Sequence, residues 1–143
     1  MLGLNFVETE FGSAVMLAQL QGHADDRGIL HSLELVSLPF VPQRIFFVQS
    51  ARAGQVRGGH AHKTAHQMFI CTSGQIEVLV AHGSQDRRFP LDHPGKGLYL
   101  RPLVWSEQTY LSAGATLLVL SSESYDPASY LLDRPTQDHG ART

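Results

Sequence analysis

Residues 56–63, Val56-Arg57-Gly58-Gly59-His60-Ala61-His62-Lys63, lead to Gln67 and then into the apolar run Met68-Phe69-Ile70-Cys71. Side chains two apart on a β-strand share a face, so this order of residues sets His60 and His62 side by side. Two adjacent imidazoles make either half of a metal site or an acid/base pair. The strand reading also decides the fold, because the same short alternating pattern continues on both sides of the pair while helical periodicity is hard to find.

Upstream, residues 14–19, 29–36 and 44–49 read as strands, the second of them half-buried. A loop over 21–28 and the stiff Leu38-Pro39-Phe40-Val41-Pro42 connection separate them, since proline fixes its own φ and extends its predecessor. Downstream, 66–72 and 75–80 are apolar strands around Ser73-Gly74, which reads as a hairpin turn. Strands over 86–91, 98–101, 107–111 and 115–121 follow, with turn formers between them, and 129–132 is a short segment that packs on the body or on a partner. About ten short strands with frequent turns indicate an all-β chain closed into a small jelly-roll barrel, an architecture that hides strand edges and leaves an interior for a ligand. One domain is expected over 1–133, followed by a polar tail over 134–143.

The composition narrows the functional classes. The 143 residues carry 11 Lys+Arg against 13 Asp+Glu, a net charge of −2, which speaks against a nucleic-acid surface. The single cysteine, Cys71, excludes an internal disulfide, suits a reducing compartment, and reads as a buried structural thiol. No apolar run approaches the ~18 residues of a membrane span, and no basic-then-apolar leader pattern opens the chain. A cytoplasmic protein is expected.

Gly54, His60, His62, Gln67 and Gly74 fall at the spacing of the first cupin motif, with Gln67 where that motif carries glutamate. Metal-binding cupins add a histidine from a later strand. Here the comparable stretch, Pro102-Leu103-Val104-Trp105-Ser106-Glu107, holds none. A neutral carboxamide lacks the charge that a divalent ion draws from a carboxylate, so no metal is expected, with Glu107 the one late carboxylate available to a metal-dependent alternative. Histidines near their ordinary pKa of ~6.5 are suited to moving protons at neutral pH.

Arg57-Gly58-Gly59-His60-Ala61-His62-Lys63 with Gln67, then Gly97-Leu98-Tyr99-Leu100-Arg101-Pro102 and Trp105, resembles the nucleotide-sugar 3,4-ketoisomerases of the FdtA, QdtA and WxcM-like group. Asp26-Arg27-Gly28, Leu38-Pro39-Phe40, Arg44 and Ser124-Tyr125-Asp126 extend the resemblance over residues 25–132. It implies an RmlC-like cupin that is homodimeric and needs neither metal nor other cofactor. Such an enzyme moves the keto group of a dTDP-4-keto-6-deoxyhexose from carbon 4 to carbon 3, in deoxyamino-sugar biosynthesis. By the family pattern His60 and His62 are the acid/base pair, with His62 the base. Arg57, Gln67 and Tyr99 are candidate donors to the developing oxyanion, and Arg27, Arg44 and Arg101 stand where a diphosphate would be held. Tyr99 and Trp105 pack either the sugar nucleotide or the core, and Lys63 points away from the cavity. The sequence departs from the family at Phe46-Phe47, where a tyrosine pair is usual, and at Ser106, where many members have histidine. Phe46 remains among the substrate-contacting candidates. These departures also fit a sugar-nucleotide-binding module without catalysis. His23, His31, His66, His82, His93 and His139 have no motif support and read as turn or surface residues.

Overall fold

A computed structural model describes residues 4–134. The tail beyond Arg134, with His139, lies outside the described residues. Thirteen strands run in chain order as β1 (Asn5–Glu10), β2 (Val15–Gln19), β3 (Gln21–Asp25), β4 (Gly28–Ser32), β5 (Arg44–Gln49), β6 (Gln55–His62), β7 (Gln67–Ser73), β8 (Ile76–His82), β9 (Gln85–Leu91), β10 (Lys96–Leu100), β11 (Trp105–Tyr110), β12 (Thr116–Ser121) and β13 (Tyr130–Leu131). Two single turns of 3-10 helix, Leu35–Ser37 and Pro127–Ser129, are the helical elements among them. None of the described helices is long and apolar enough to cross a membrane.

A six-stranded sheet, β1-β2-β10-β7-β12-β5, lies against a five-stranded sheet, β13-β6-β11-β8-β9, and β3-β4 form a separate hairpin. Alternation along the strands makes the core. From the larger sheet Val15, Phe69, Cys71, Leu98, Leu100, Leu117 and Val119 join Ile76, Val78, Val80, Phe89, Leu91 and Tyr110 of the other in one buried cluster. The intervening residues Met68, Ile70, Tyr99 and Leu120 face the opposite way, under a cover that includes Leu38 and Phe40. This is the expected jelly roll, with Cys71 buried as a free thiol.

Three local expectations change. Ser73-Gly74 is no hairpin turn, because β7 and β8 belong to different sheets; the chain turns a corner there. Gly74 has φ +76, and a Cβ on it would meet Ser112 Oγ at 2.5 Å, so the corner needs glycine for packing as well as for backbone. The 21–28 loop is instead half of the β3-β4 hairpin. Residues 29–36 form a strand only as far as Ser32, and it is not half-buried, since Ile29 and Leu30 are 65% and 60% exposed. Strand β1, whose alternation is apolar only at Phe6 and Val7, has no counterpart in the sequence reading.

Candidate active site

The histidine strand is held open by a bulge. Ser106 pairs with His60 and Glu107 with Gly58, so Gly59 is the extra residue of β6. Gly58 and Gly59 have φ +88 and +79, and a Cβ on Gly58 would lie 2.7 Å from Gln108 Oε1 and 3.0 Å from the Ser106 carbonyl. A bulge re-aims the side chains beyond it. Here those are His60 and His62, whose ring centroids lie 5.0 Å apart at 72°.

Both imidazoles line a cavity of about 160 Å³ between the sheets. Strand β6 supplies Arg57, His60 and His62, β5 supplies Arg44 and Phe46, and β7 supplies Gln67. Of the sequence candidates, those six are brought together. Arg27, Tyr99, Arg101 and Trp105 do not line this cavity, and strand alternation accounts for the two aromatics. Leu98 and Leu100 point into the core, so Tyr99 points out, where its hydroxyl lies 2.6 Å from His66 Nδ1. Ser106 points in, so Trp105 packs outside on Ala61, Leu79 and Ala81, and its Nε1–H donates to the Leu132 carbonyl at 3.3 Å. Arg27 is exposed at the β3-β4 turn and pairs with Asp25 at 2.6 Å. Arg101 follows β10 and is exposed.

Of the polar side chains lining the cavity, the sequence had not singled out Gln108, Tyr110 and Tyr130. Gln108 and Tyr110 share the inward face of β11 with Ser106, and Tyr130 enters from β13. Gln108 donates to Ser106 Oγ at 2.9 Å. Tyr110 is fully buried, and its hydroxyl has no protein hydrogen-bond partner among the described residues; burial pushes its pKa up to about 12. Alternation alone, counted from Ser106, would have found Gln108 and Tyr110. The departures at 46, 47 and 106 also separate: Phe46 and Ser106 face the cavity, while Phe47 points outward and is 68% exposed.

Electrostatics sort the two histidines. Burial pushes His62 down to about 4, aided by the neighbouring His60 and the Arg44 guanidinium. Burial also lowers His60, but a hydrogen bond to the Gly58 backbone acts in the opposite direction. Both rings are therefore neutral at pH 7, each with one nitrogen able to accept a proton. The Arg44 guanidinium is held over the Phe46 ring at 4.4 Å and the Tyr125 ring at 5.1 Å, a cation–π arrangement that fixes the charge beside the pair. His31, His66 and His82 are half-buried rather than surface residues; His66 and His82 stack on Phe40 and Phe11.

The donor set does not suit a divalent cation. Two imidazoles and the neutral Gln67 carboxamide converge, and Glu107, between inward Ser106 and Gln108, lies on the other face of β11. Among the described residues no group of three or more His, Cys, Asp or Glu could hold a metal ion.

An antiparallel jelly roll with a histidine pair and two arginines opening into its interior defines a cupin of the RmlC-like type. The fold is matched at a TM-score of 0.81 and 17% identity by dTDP-4-dehydrorhamnose 3,5-epimerase of Bacillus anthracis, over 90% of this chain and 82% of that one. The chain belongs to the FdtA family, described as WxcM-like, C-terminal, which matches residues 13–139. It is 33% identical to TDP-4-oxo-6-deoxy-alpha-D-glucose-3,4-oxoisomerase of Aneurinibacillus thermoaerophilus over 108 residues, 75% of this chain and 78% of that one. The crystal structure of QdtA, a sugar 3,4-ketoisomerase of Thermoanaerobacterium thermosaccharolyticum in complex with TDP, superposes with a TM-score of 0.79 at 33% identity. The match covers 84% of this chain and 88% of that one.

Proposed function

We propose that this protein is a sugar 3,4-ketoisomerase that converts a TDP-4-keto-6-deoxyhexose to its 3-keto isomer. The observation that carries the reading is the neutral His60/His62 pair opening into a cavity with Arg44, Arg57 and Gln67. The relatives' chemistry fits that equipment. The C3–H bond next to a C4 carbonyl is acidified. An imidazole takes that proton, and the electron pair moves through the C3–C4 bond onto the C4 oxygen, giving an enediolate. Protonation at C4, with the C3 hydroxyl proton passed to the C4 oxygen, completes the isomerisation with no net oxidation. The negative oxygen forms where Arg57, Arg44 and Gln67 can donate to it.

The proton pair divides differently from the sequence expectation. A general base works best with a pKa near the operating pH. His62, at about 4, is a weak base; burial lowers His60 too, but the Gly58 backbone offsets part of that. His60 is therefore assigned the C3 proton, and neutral His62 the hydrogen bond to the hydroxyl that gives up or receives the second proton.

A homodimer belongs to the same reading. Ile45 and Phe47 face outward from edge strand β5 and, with Leu35, Val36 and Val41, leave apolar side chains in water; light scattering at micromolar concentration measures the mass directly. The activity is tested by proton NMR of TDP-4-keto-6-deoxyglucose with the enzyme in deuterium oxide. Solvent deuterium at C4 of the product and at C3 of the recovered substrate, and signals of the 3-keto isomer, are expected. Their absence, with intact substrate at the end, would sink the proposal for this sugar.

A further inference from the structure

After the last core strand the chain returns along the edge of β6 in a strap over residues 125–132, from which Tyr130 reaches the cavity. It is tied down along its length. Asp126 caps the turn by accepting from the Ala128 N–H at 3.0 Å. Lys63 donates from its backbone to Ser129 at 2.9 Å and from Nζ to the Ala128 carbonyl at 3.2 Å. Tyr130 and Leu131 pair with His62 and Ala61 as β13 on the edge of β6, and Trp105 holds the Leu132 carbonyl. Lys63 and Trp105, both outside the cavity, thus act on it through this strap.

The strap delivers one ring onto the catalytic pair. Tyr130 lies parallel to His60, with centroids 4.4 Å apart and planes 4° apart, and meets His62 edge-on at 4.7 Å. Tyr125 packs edge-on to Tyr130 and over Arg44. His60 is therefore bounded on one face by Tyr130, beside it by the His62 ring, and on the backbone side by Gly58. An imidazole transfers protons along the plane of its ring, so whatever fixes that plane fixes the direction of transfer. Rotation of His60 about its Cβ–Cγ bond would drive its edge into the tyrosine face.

We propose that Tyr130 is a positioning residue, whose ring sets the plane of the His60 imidazole for proton transfer. This rests on the reading of His60 as the base. The stack acts through its π face and needs no hydroxyl, so Tyr130→Phe and Tyr130→Leu separate the stack from everything else the side chain does. Misplacing a reacting group by about 1 Å lowers rates by on the order of a hundredfold, which sets the scale expected for the leucine variant.

The experiment combines turnover with NMR of the histidine ring protons, His60 being assigned by the signal lost in His60→Asn. In the unmutated protein the His60 ring protons are expected upfield of ordinary histidine, because they lie over an aromatic face. Tyr130→Phe keeps that displacement, the pH profile and, within about twofold, kcat. Tyr130→Leu loses the displacement, lowers kcat by roughly ten- to a hundredfold with KM changing less, and moves the acid limb of the pH profile upward as His60 becomes more hydrated. An undisplaced His60 signal in the unmutated protein overturns the proposal even if no variant folds. So does a phenylalanine variant as impaired as the leucine one, or a leucine variant with full kcat. A displaced signal in a protein that makes no 3-keto product would refute the function and leave the stack standing.

Discussion

Gly58→Ala and Gly59→Ala probe the bulge that aims the histidines, and the structure makes them unequal. Both residues have positive φ, +88 and +79, a region that disfavours residues with a Cβ by about 1–2 kcal/mol. For Gly59 little is added, since the nearest atom to a new Cβ is Trp105 Cζ2 at 4.0 Å. For Gly58 the new methyl meets Gln108 Oε1 at 2.7 Å, Gln108 Nε2 at 3.0 Å and the Ser106 carbonyl at 3.0 Å. The carbonyl belongs to the paired strand and has little room to yield. The glutamine can move only by giving up its bond to Ser106 Oγ in a buried setting, which costs about 1–3 kcal/mol. Gly59→Ala is thus expected to lower stability by about 1–2 kcal/mol, and Gly58→Ala by about 2–5 kcal/mol. At roughly 3 °C per kcal/mol for a chain of this size, their melting temperatures fall by about 3–6 °C and 6–15 °C. Urea unfolding followed by tryptophan fluorescence measures both, and Gly58→Ala/Gln108→Ala should recover part of the larger loss. Equal destabilisation by the two alanines, or no recovery in the double variant, would refute the packing argument.

Three further outcomes follow from the cavity. The acid limb of kcat/KM is expected below the ordinary histidine pKa, because burial lowers His60 and only the neutral ring accepts the C3 proton; a limb at or above 6.5 in a pH-rate profile contradicts it. His62 is held at about 4 against 6.5 when unfolded, so its burial in the neutral form stabilises fully above pH 6.5, and that contribution is lost as pH falls through about 4. Discounted for the part of the ring that water reaches, this amounts to ~1–2 kcal/mol, and urea midpoints at pH 7 and pH 4 should fall further for the unmutated protein than for His62→Gln. Tyr110→Phe removes a buried hydroxyl with no protein partner among the described residues and is expected to change stability by less than about 0.5 kcal/mol, with a loss above about 1 kcal/mol by thermal melting speaking against it.

The strands that bury side chains were the legible part of the fold. Arg44–Gln49 and the runs that became β7, β8, β9 and β12 alternate or are apolar throughout, and their positions agree with the sequence to within a residue or two. What could not be read was which sheet a strand joins. Ser73-Gly74 has hairpin composition, yet Gly74 serves a corner between sheets, a choice made by the pairing of β7 with β10 and β12 far away in sequence. Strand β3 was missed for a related reason. It buries almost nothing, so the hydrophobic pattern that marks other strands is absent from it.

At the site, the motif found the residues that share β6 with the histidines and those of β5 and β7 that face them, because spacing within a strand is a property of sequence. It left open whether Tyr99 and Trp105 face the ligand or the core, because a family position does not say which side of the sheet a residue occupies, whereas the alternation of Leu98, Leu100 and Ser106 does. It missed Tyr130 for a deeper reason. The contact with His60 spans 70 residues, and β13 is too short to announce itself as a strand. Its place is fixed by bonds from Lys63 and by the Trp105 indole, two residues of the matched motifs that lie outside the cavity. Their use is indirect: Lys63 and Trp105 hold the strap, the strap holds Tyr130, and Tyr130 faces the imidazole. The same alternation that turns both residues away from the cavity therefore puts them where they can anchor the segment that carries Tyr130 into it.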